Sequence, residues 1–185
     1  MTAGLDRDAI LSLLGDLSDG LARRGVRADV FLVGGAAMAL AYDARRATRD
    51  LDAVFAPTSV VRAAAADVAA SHDLPEDWLN DAVKGFLPGR DHEARRVFES
   101  DALRVDVASP RYLLAMKLLA ARAGADVEDI RTLYRLSGFT TVEEGLQLVE
   151  DAYPDLAISP KTQYLIGEIV DSLTSRDTAQ DPNAR

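Results

Sequence analysis

The order of parts between Phe31 and Phe55, FLVGGAAMALAYDARRATRDLDAVF, limits the fold more than any other stretch of the chain. Asp29 to Val33 is a short apolar run with β-branched and aromatic residues, stopped by Gly34-Gly35, so it reads as a buried strand entering a tight turn. Ala36 to Tyr42 then reads as a short helix. In DLDAVF the set Asp50, Asp52, Val54 alternates with Leu51, Ala53, Phe55, the period of a strand with one packed face. Two aspartates at that spacing project from the same face, roughly 6–7 Å apart at their roots, and can address one divalent cation. Mg²⁺ takes such hard oxygen ligands and keeps positions open for nucleotide phosphates, which points to phosphoryl or nucleotidyl transfer. Glycines between a strand and a helix let backbone N–H groups approach an anion at the positive end of the helix. Taken singly, each part has a plain explanation: polar pairs line the solvent face of many strands, and glycine pairs make many turns. The combination in this order is much rarer.

Around this stretch, local signals set out the rest. Leu5, Ile10, Leu13, Leu14, Leu17 and Leu21 form a helical stripe ending at Gly25. Pro57-Thr58-Ser59 opens an alanine-rich helix over 59–72. From Leu74 to Arg95 the pattern loosens into a loop region with one helical turn near Trp78 to Lys84. Arg96 to Glu99 and Ala102 to Val107 form the arms of a hairpin. Ser109-Pro110 starts a helix that runs to about Ala123, Asp126 caps another through Leu136, and Thr141 with Glu144 makes a capping box for a third. Ser159-Pro160 begins the last helix, and the polar residues after Ser175 read as a frayed tail. The expected fold is α/β (α+β): a small mixed β-sheet core over 1–108, a helical C-terminal lobe over 109–175 of the same compact unit, and a flexible tail over 176–185.

Composition excludes several classes. At 185 residues and 48% hydrophobic, the chain can bury one real core. It has no cysteine, which rules out thiolate metal sites and a cysteine nucleophile and suits a reducing cytoplasm. The first twenty residues mix charged and apolar positions and no apolar run approaches the roughly 18 residues of a membrane span, so neither a signal peptide nor a membrane segment is expected. A net charge of -9 argues against unspecific adhesion to nucleic acid. Basic residues nevertheless outnumber acids between Lys84 and Arg122, either as a local phosphate-binding surface or as charge for solubility. The two histidines, His72 and His92, have no serine, cysteine or second histidine at a telling distance, which disfavours a triad or a zinc site.

Val33-Gly34-Gly35 followed by Asp50-Leu51-Asp52 resembles the glycine-pair and paired-carboxylate signature of the polymerase-β-like nucleotidyltransferase superfamily. Within it, RATRDLDAVF, PEDWLNDAV and SPRYLLAMKLLAARAGADVEDIRTL resemble the AbiEii/MenT-type nucleotidyltransferase toxins, a similarity spanning roughly 31–136. The resemblance implies a Mg²⁺-dependent nucleotidyltransferase enzyme of the cytoplasm that moves a nucleotide, often a pyrimidine one, from a nucleoside triphosphate to the 3′ end of tRNA and blocks aminoacylation. A cognate antitoxin comes with that role. By position, Gly34 and Gly35 would hold triphosphate, Asp50 and Asp52 would hold Mg²⁺, and Lys117 would bind nucleotide. Asp129 or Asp126 would match a functional aspartate downstream. Thr48 is placed in the nucleotide site and matches a hydroxyl that an antitoxin phosphorylates in some such toxins. The alternatives are the same chemistry on a small molecule or a protein, or a non-catalytic binding module that keeps the fold.

The residues themselves leave some of these assignments open. Lys117 lies in the otherwise apolar LLAMKLLAA, where its charge needs a phosphate or another partner unless it snorkels to the surface. Asp126 and Asp129 share a helical face or serve as cap and surface acids. Asp106, on the polar side of RVDV, is a further possible metal ligand or a salt-bridge partner of Arg104. Arg49, with Arg45 and Arg46, either grips phosphate or offsets the acidic pair.

Overall fold

The computed structural model describes residues 4–120 and 126–180. The chain divides into two units, one comprising Met1–Leu87 and His92–Ala108, the other Pro88–Asp91 and Ser109–Arg185.

The first unit is built on a mixed five-stranded sheet. Helix α1 (Arg7–Arg23) is capped by Asp6, whose side chain accepts from the Ala9 N–H at 2.9 Å, and gives way to Gly25 at φ +65°. Strand β1 (Ala28–Leu32) follows, then α2 (Gly34–Ala37), which continues as a wider π-helical turn over Met38–Tyr42. The helix expected from Ala36 therefore starts at the glycines themselves. After it come β2 (Leu51–Ala56), α3 (Thr58–His72), β3 (Leu79–Asn80), a 3₁₀ turn over Ala82–Phe86, and the hairpin of β4 (Arg95–Glu99) and β5 (Leu103–Val107). The strand order is β3-β2-β1-β5-β4. β1 runs antiparallel to β2 and parallel to β5, while β3 lies parallel to β2 and β4 antiparallel to β5.

Strand alternation sorts the sheet into two faces. Val30, Leu32, Leu51, Ala53, Phe55, Leu103, Val105 and Val107 are buried on one face. Helices α1 and α3 pack on each other, α3 against β2 and α1 against β5. Phe31, Asp52, Val54, Arg104 and Asp106 occupy the opposite, less covered face. The apolar pattern thus decides which way the carboxylates point, because a one-residue slip would bury them.

The second unit is helical: α4 (Pro110–Ala120), α5 (Val127–Leu136), α6 (Val142–Ala152) and α7 (Pro160–Gln180). The end expected for α4 near Ala123 falls outside the described residues. Helix α4 is central, packing on α5, α6 and α7, and Leu113, Leu118, Ile130, Leu133, Tyr134, Val149 and Ile166 are buried. Ser109 caps α4 by accepting from the Tyr112 N–H at 3.3 Å and is itself tied to Asp91 through its N–H (2.7 Å) and hydroxyl (3.0 Å). At α6 both halves of the Thr141/Glu144 capping box are present. Helix α7 extends five residues past Ser175, where the sequence pattern expects fraying; 181–185 lie outside the described residues.

Gly145 shows how tightly this bundle is filled. Tyr134 is fully buried and donates its hydroxyl to the Thr141 carbonyl at 3.2 Å. A Cβ at position 145 would overlap that hydroxyl and lie 2.9 Å from Tyr134 Cζ. Gly145→Ala is therefore expected to destabilise by about 1–3 kcal/mol, the usual cost of overpacking a filled core, despite the gain in helix propensity. A urea midpoint equal to that of the parent would show that the ring has room to move.

Candidate functional site

The glycine pair and the aspartates meet in the first unit. The β1/β2 ladder continues one step beyond the strand, with the Val33 N–H donating to the Asp52 carbonyl at 2.9 Å. That step sets Asp52 across from the start of α2. Gly34 has φ +59°, and a Cβ there would stand 3.1 Å from Asp52 Oδ2. Two requirements coincide at this residue: a left-handed backbone, and room for a carboxylate against the helix start. At Gly35 the close neighbour is Thr48, whose Oγ1 would be 2.7 Å and whose Cβ would be 3.1 Å from an added Cβ. Each glycine thus gives room to one side chain of the segment that carries the acids.

Thr48 is fixed from two directions. Its backbone pairs with Leu5 in both senses, at 2.9 and 2.7 Å, and its hydroxyl donates to the Asp50 carbonyl at 3.0 Å. Gly35→Ala should push against this braced threonine and cost about 1–3 kcal/mol. Thr48→Ala in the same chain should recover part of that loss, since the two sites share one contact and couple in a double-mutant cycle. Strict additivity in denaturant unfolding would show that they do not press on each other.

Asp50 sits just before β2, half-buried, and Asp52 within it. Burial first, then the like charges of Asp52 and Asp77, push the Asp50 carboxyl above the ordinary carboxylate range, against its backbone hydrogen bond and Arg49. Asp77 is an acid that the sequence pattern does not single out. It is exposed, but it precedes Trp78, a buried peg whose indole N–H donates to the Ala65 carbonyl at 2.9 Å. The Trp78 carbonyl accepts from the Leu51 N–H at 2.6 Å, between the two aspartates. Its place within PEDWLNDAV is the available signal. Arg49 is exposed, and Arg45 pairs with Asp43 at 3.5 Å.

Asp106 shares the sheet face of Asp52, since both Val54 and Asp106 stand opposite Phe31. Its partner is Arg96, at 2.5 Å, not Arg104, which pairs with Asp29 at 2.8 Å. The register explains the difference: Arg96 stands directly opposite Asp106 on β4, whereas Arg104 is two residues away on the same strand.

In the second unit the Lys117 ammonium lies 2.6 Å from Asp126 and 2.9 Å from Asp129, with side-chain exposures of 12%, 16% and 4%. Asp126 stands at the cap position of α5 without a side-chain capping bond, its carboxylate engaged by Lys117 instead. The lysine neither snorkels nor stands alone.

Among the described residues no group of three or more His, Asp or Glu side chains is arranged to hold a metal ion. Asp50 and Asp52 nonetheless suit a divalent cation, because their mutual repulsion is what a shared cation would relieve. The remaining positions would fall to phosphate and water oxygens, as Mg²⁺ commonly arranges them. Among the described residues no helix is long and apolar enough to cross a membrane.

Comparison with known proteins bears on this arrangement. No curated protein sequence matches the chain. Among solved structures, the chain is similar to an antigenic nucleotidyltransferase-like protein from Paracoccidioides brasiliensis, at 14% identity and a TM-score of 0.36 over 96% of this chain and 94% of that one. So loose a likeness says nothing of chemistry. A family model described as a nucleotidyltransferase of unknown function matches residues 8–143. That span holds the glycine pair, Thr48, both aspartates, Lys117 and Asp129, and it covers well over half of the chain. The chain therefore belongs to this nucleotidyltransferase family (DUF6036).

Proposed function

We propose that the protein is an active Mg²⁺-dependent nucleotidyltransferase of the AbiEii/MenT toxin type, moving a nucleotide, a pyrimidine one by the family resemblance, from its triphosphate to the 3′ acceptor end of tRNA and so blocking aminoacylation. The observation that carries the reading is the Asp52 carboxylate set against Gly34 at the start of α2, with Asp50 beside it. A chain that kept the fold for binding alone would have no need of two mutually repelling carboxylates at a helix start.

Asp50 and Asp52 would hold Mg²⁺, which when bound supplies charge neutralisation on the triphosphate and its pyrophosphate leaving group. Gly34 and Gly35 would present the backbone N–H groups at the start of α2 to phosphate oxygens. Thr48 braces the acid-bearing segment and adds a hydroxyl at its edge, the group that an antitoxin would modify. Arg49 is available to triphosphate or RNA phosphate. Asp106 enters as an additional metal ligand only by giving up Arg96. Lys117, Asp126 and Asp129 take part by the family resemblance, as a phosphate-binding lysine and its acids. A cognate antitoxin and a cytoplasmic setting belong to the same reading.

The test is incorporation of label from each of the four nucleoside triphosphates into total tRNA, with and without Mg²⁺. Label in RNA that vanishes with chelator is the expected result. A net charge of -9 favours a second reading, in which the acceptor is a small molecule or a protein because RNA is repelled. Label appearing in a non-RNA fraction of a cell extract would select it.

A further inference from the structure

We propose that Asn80 is a nucleotide-positioning residue, its side-chain amide donating to a phosphate oxygen of the triphosphate held beside Asp52; this rests on the nucleotide-binding reading above. Asn80 is the direct partner of Asp52 in the parallel β2/β3 register. Paired residues on adjacent strands project from the same face, and their backbones are about 4.8 Å apart. A ligand held through the Asp52 carboxylate therefore lies within reach of the neighbouring amide.

The orientation of that amide is settled by its own contact. Asn80 Oδ1 accepts from the Ala82 N–H at 3.2 Å, and a backbone N–H requires the oxygen end. The NH₂ end, with two donors, meets no acceptor among the described residues. β3 is an edge strand, so no further strand covers this side chain.

Charge shows what such a donor is for. Asp50, Asp52 and Asp77 crowd this edge, and the first feels the other two as like charges. A phosphate oxygen approaching Asp52 meets repulsion from every acid there. Asn80 offers hydrogen at the same place without adding charge, whereas a carboxylate in its position would repel the ligand and a lysine would be drawn onto the acids.

Asn80→Ser separates this part from a purely local one. A serine hydroxyl still accepts from an N–H two residues on, so the turn into Ala82 survives, but it cannot reach a ligand at Asp52 and adds no charge. Calorimetric titration with Mg²⁺-loaded α,β-methylene nucleoside triphosphates should show binding to the parent protein and a dissociation constant about tenfold weaker in Asn80→Ser, the scale of one lost hydrogen bond to a charged group. Its melting temperature should match that of the parent. A serine variant that binds with the parent constant overturns the proposal and leaves the nucleotide reading standing. A weaker constant that comes with a lowered melting temperature in the unliganded variant also overturns it, by making Asn80 a turn anchor. A parent protein that takes up none of the four analogues overturns both.

Discussion

Asp52→Asn should reduce nucleotide transfer by at least about 10²–10³-fold, the scale seen when one preorganised electrostatic group is lost from an active site. Asparagine keeps the size and shape of the side chain, so the approach of its terminal atom to Gly34, 3.1 Å from where a Cβ would stand, is preserved. Only the charge goes. The fold should survive, because Asp52 stands on the less covered face of the sheet and makes no part of the buried core. A variant that melts with the parent protein and still labels its acceptor at the parent rate would remove Asp52 from the metal site, and the nucleotidyltransferase mechanism with it.

The same substitution has a consequence for stability against pH. The Asp50 carboxyl is raised by burial first and by Asp52 second. A carboxyl whose folded value lies above its unfolded one binds its proton more tightly in the folded chain. Its contribution to stability is therefore present at low pH and lost as pH rises from the unfolded through the folded value. Asp52→Asn removes one cause of the shift, so the loss of stability over that interval should shrink. Unfolding in urea at a series of pH values from about 3 to 7, spanning the ordinary carboxylate range, measures it.

How much of this was open to reading from the sequence depends on how local each signal is. The stripe of α1, the serine at the start of α4 and the capping box of α6 are short-range patterns, and each appears where its residues stand. So does the strand with alternating aspartate and apolar residues, because a period of two needs only its own segment. β3 was not legible. Two residues, Leu79 and Asn80, carry no pattern, and they are a strand only because β2 lies alongside and the Trp78 carbonyl takes the Leu51 N–H. Partners chosen by register were hidden for the same reason. Asp106 finds Arg96 across the hairpin and not Arg104 along the strand. Asp126 reads locally as a cap but gives its carboxylate to Lys117 from another helix. The π-helical turn over Met38–Tyr42 departs from the simple helix expected there, and nothing in its composition marks the change. What joins the glycines to the aspartates is legible only as an order of motifs; that Asp52 lies over Gly34 and Thr48 over Gly35 is a through-space relation that no local pattern carries.

Lys117→Met should destabilise the protein by about 3–5 kcal/mol, the usual cost of removing one partner from a buried ion pair. Asp126 and Asp129 both approach the ammonium, at 2.6 and 2.9 Å, and Asp129 keeps only 4% of its side chain exposed. Without the lysine, two carboxylates face each other at the junction of α4 and α5, in the unit whose core those helices build. Methionine matches the lysine stem in length and leaves no large cavity, so the change isolates charge from volume. Asp129→Leu added to Lys117→Met should recover part of the loss, since it removes the more buried of the two carboxylates left without a counter-charge, while Asp126 keeps 16% of its side chain exposed to water. Nucleotide binding should be measured on that rescued double variant. If it folds as the parent does but binds Mg²⁺-loaded nucleotide far more weakly, the Lys117–Asp129 pair serves the ligand as well as the bundle. If it binds normally, the lysine is a strut between two helices, and the nucleotide must find its positive charge elsewhere. A single Lys117→Met variant as stable as the parent would show that the two aspartates never depended on this ammonium.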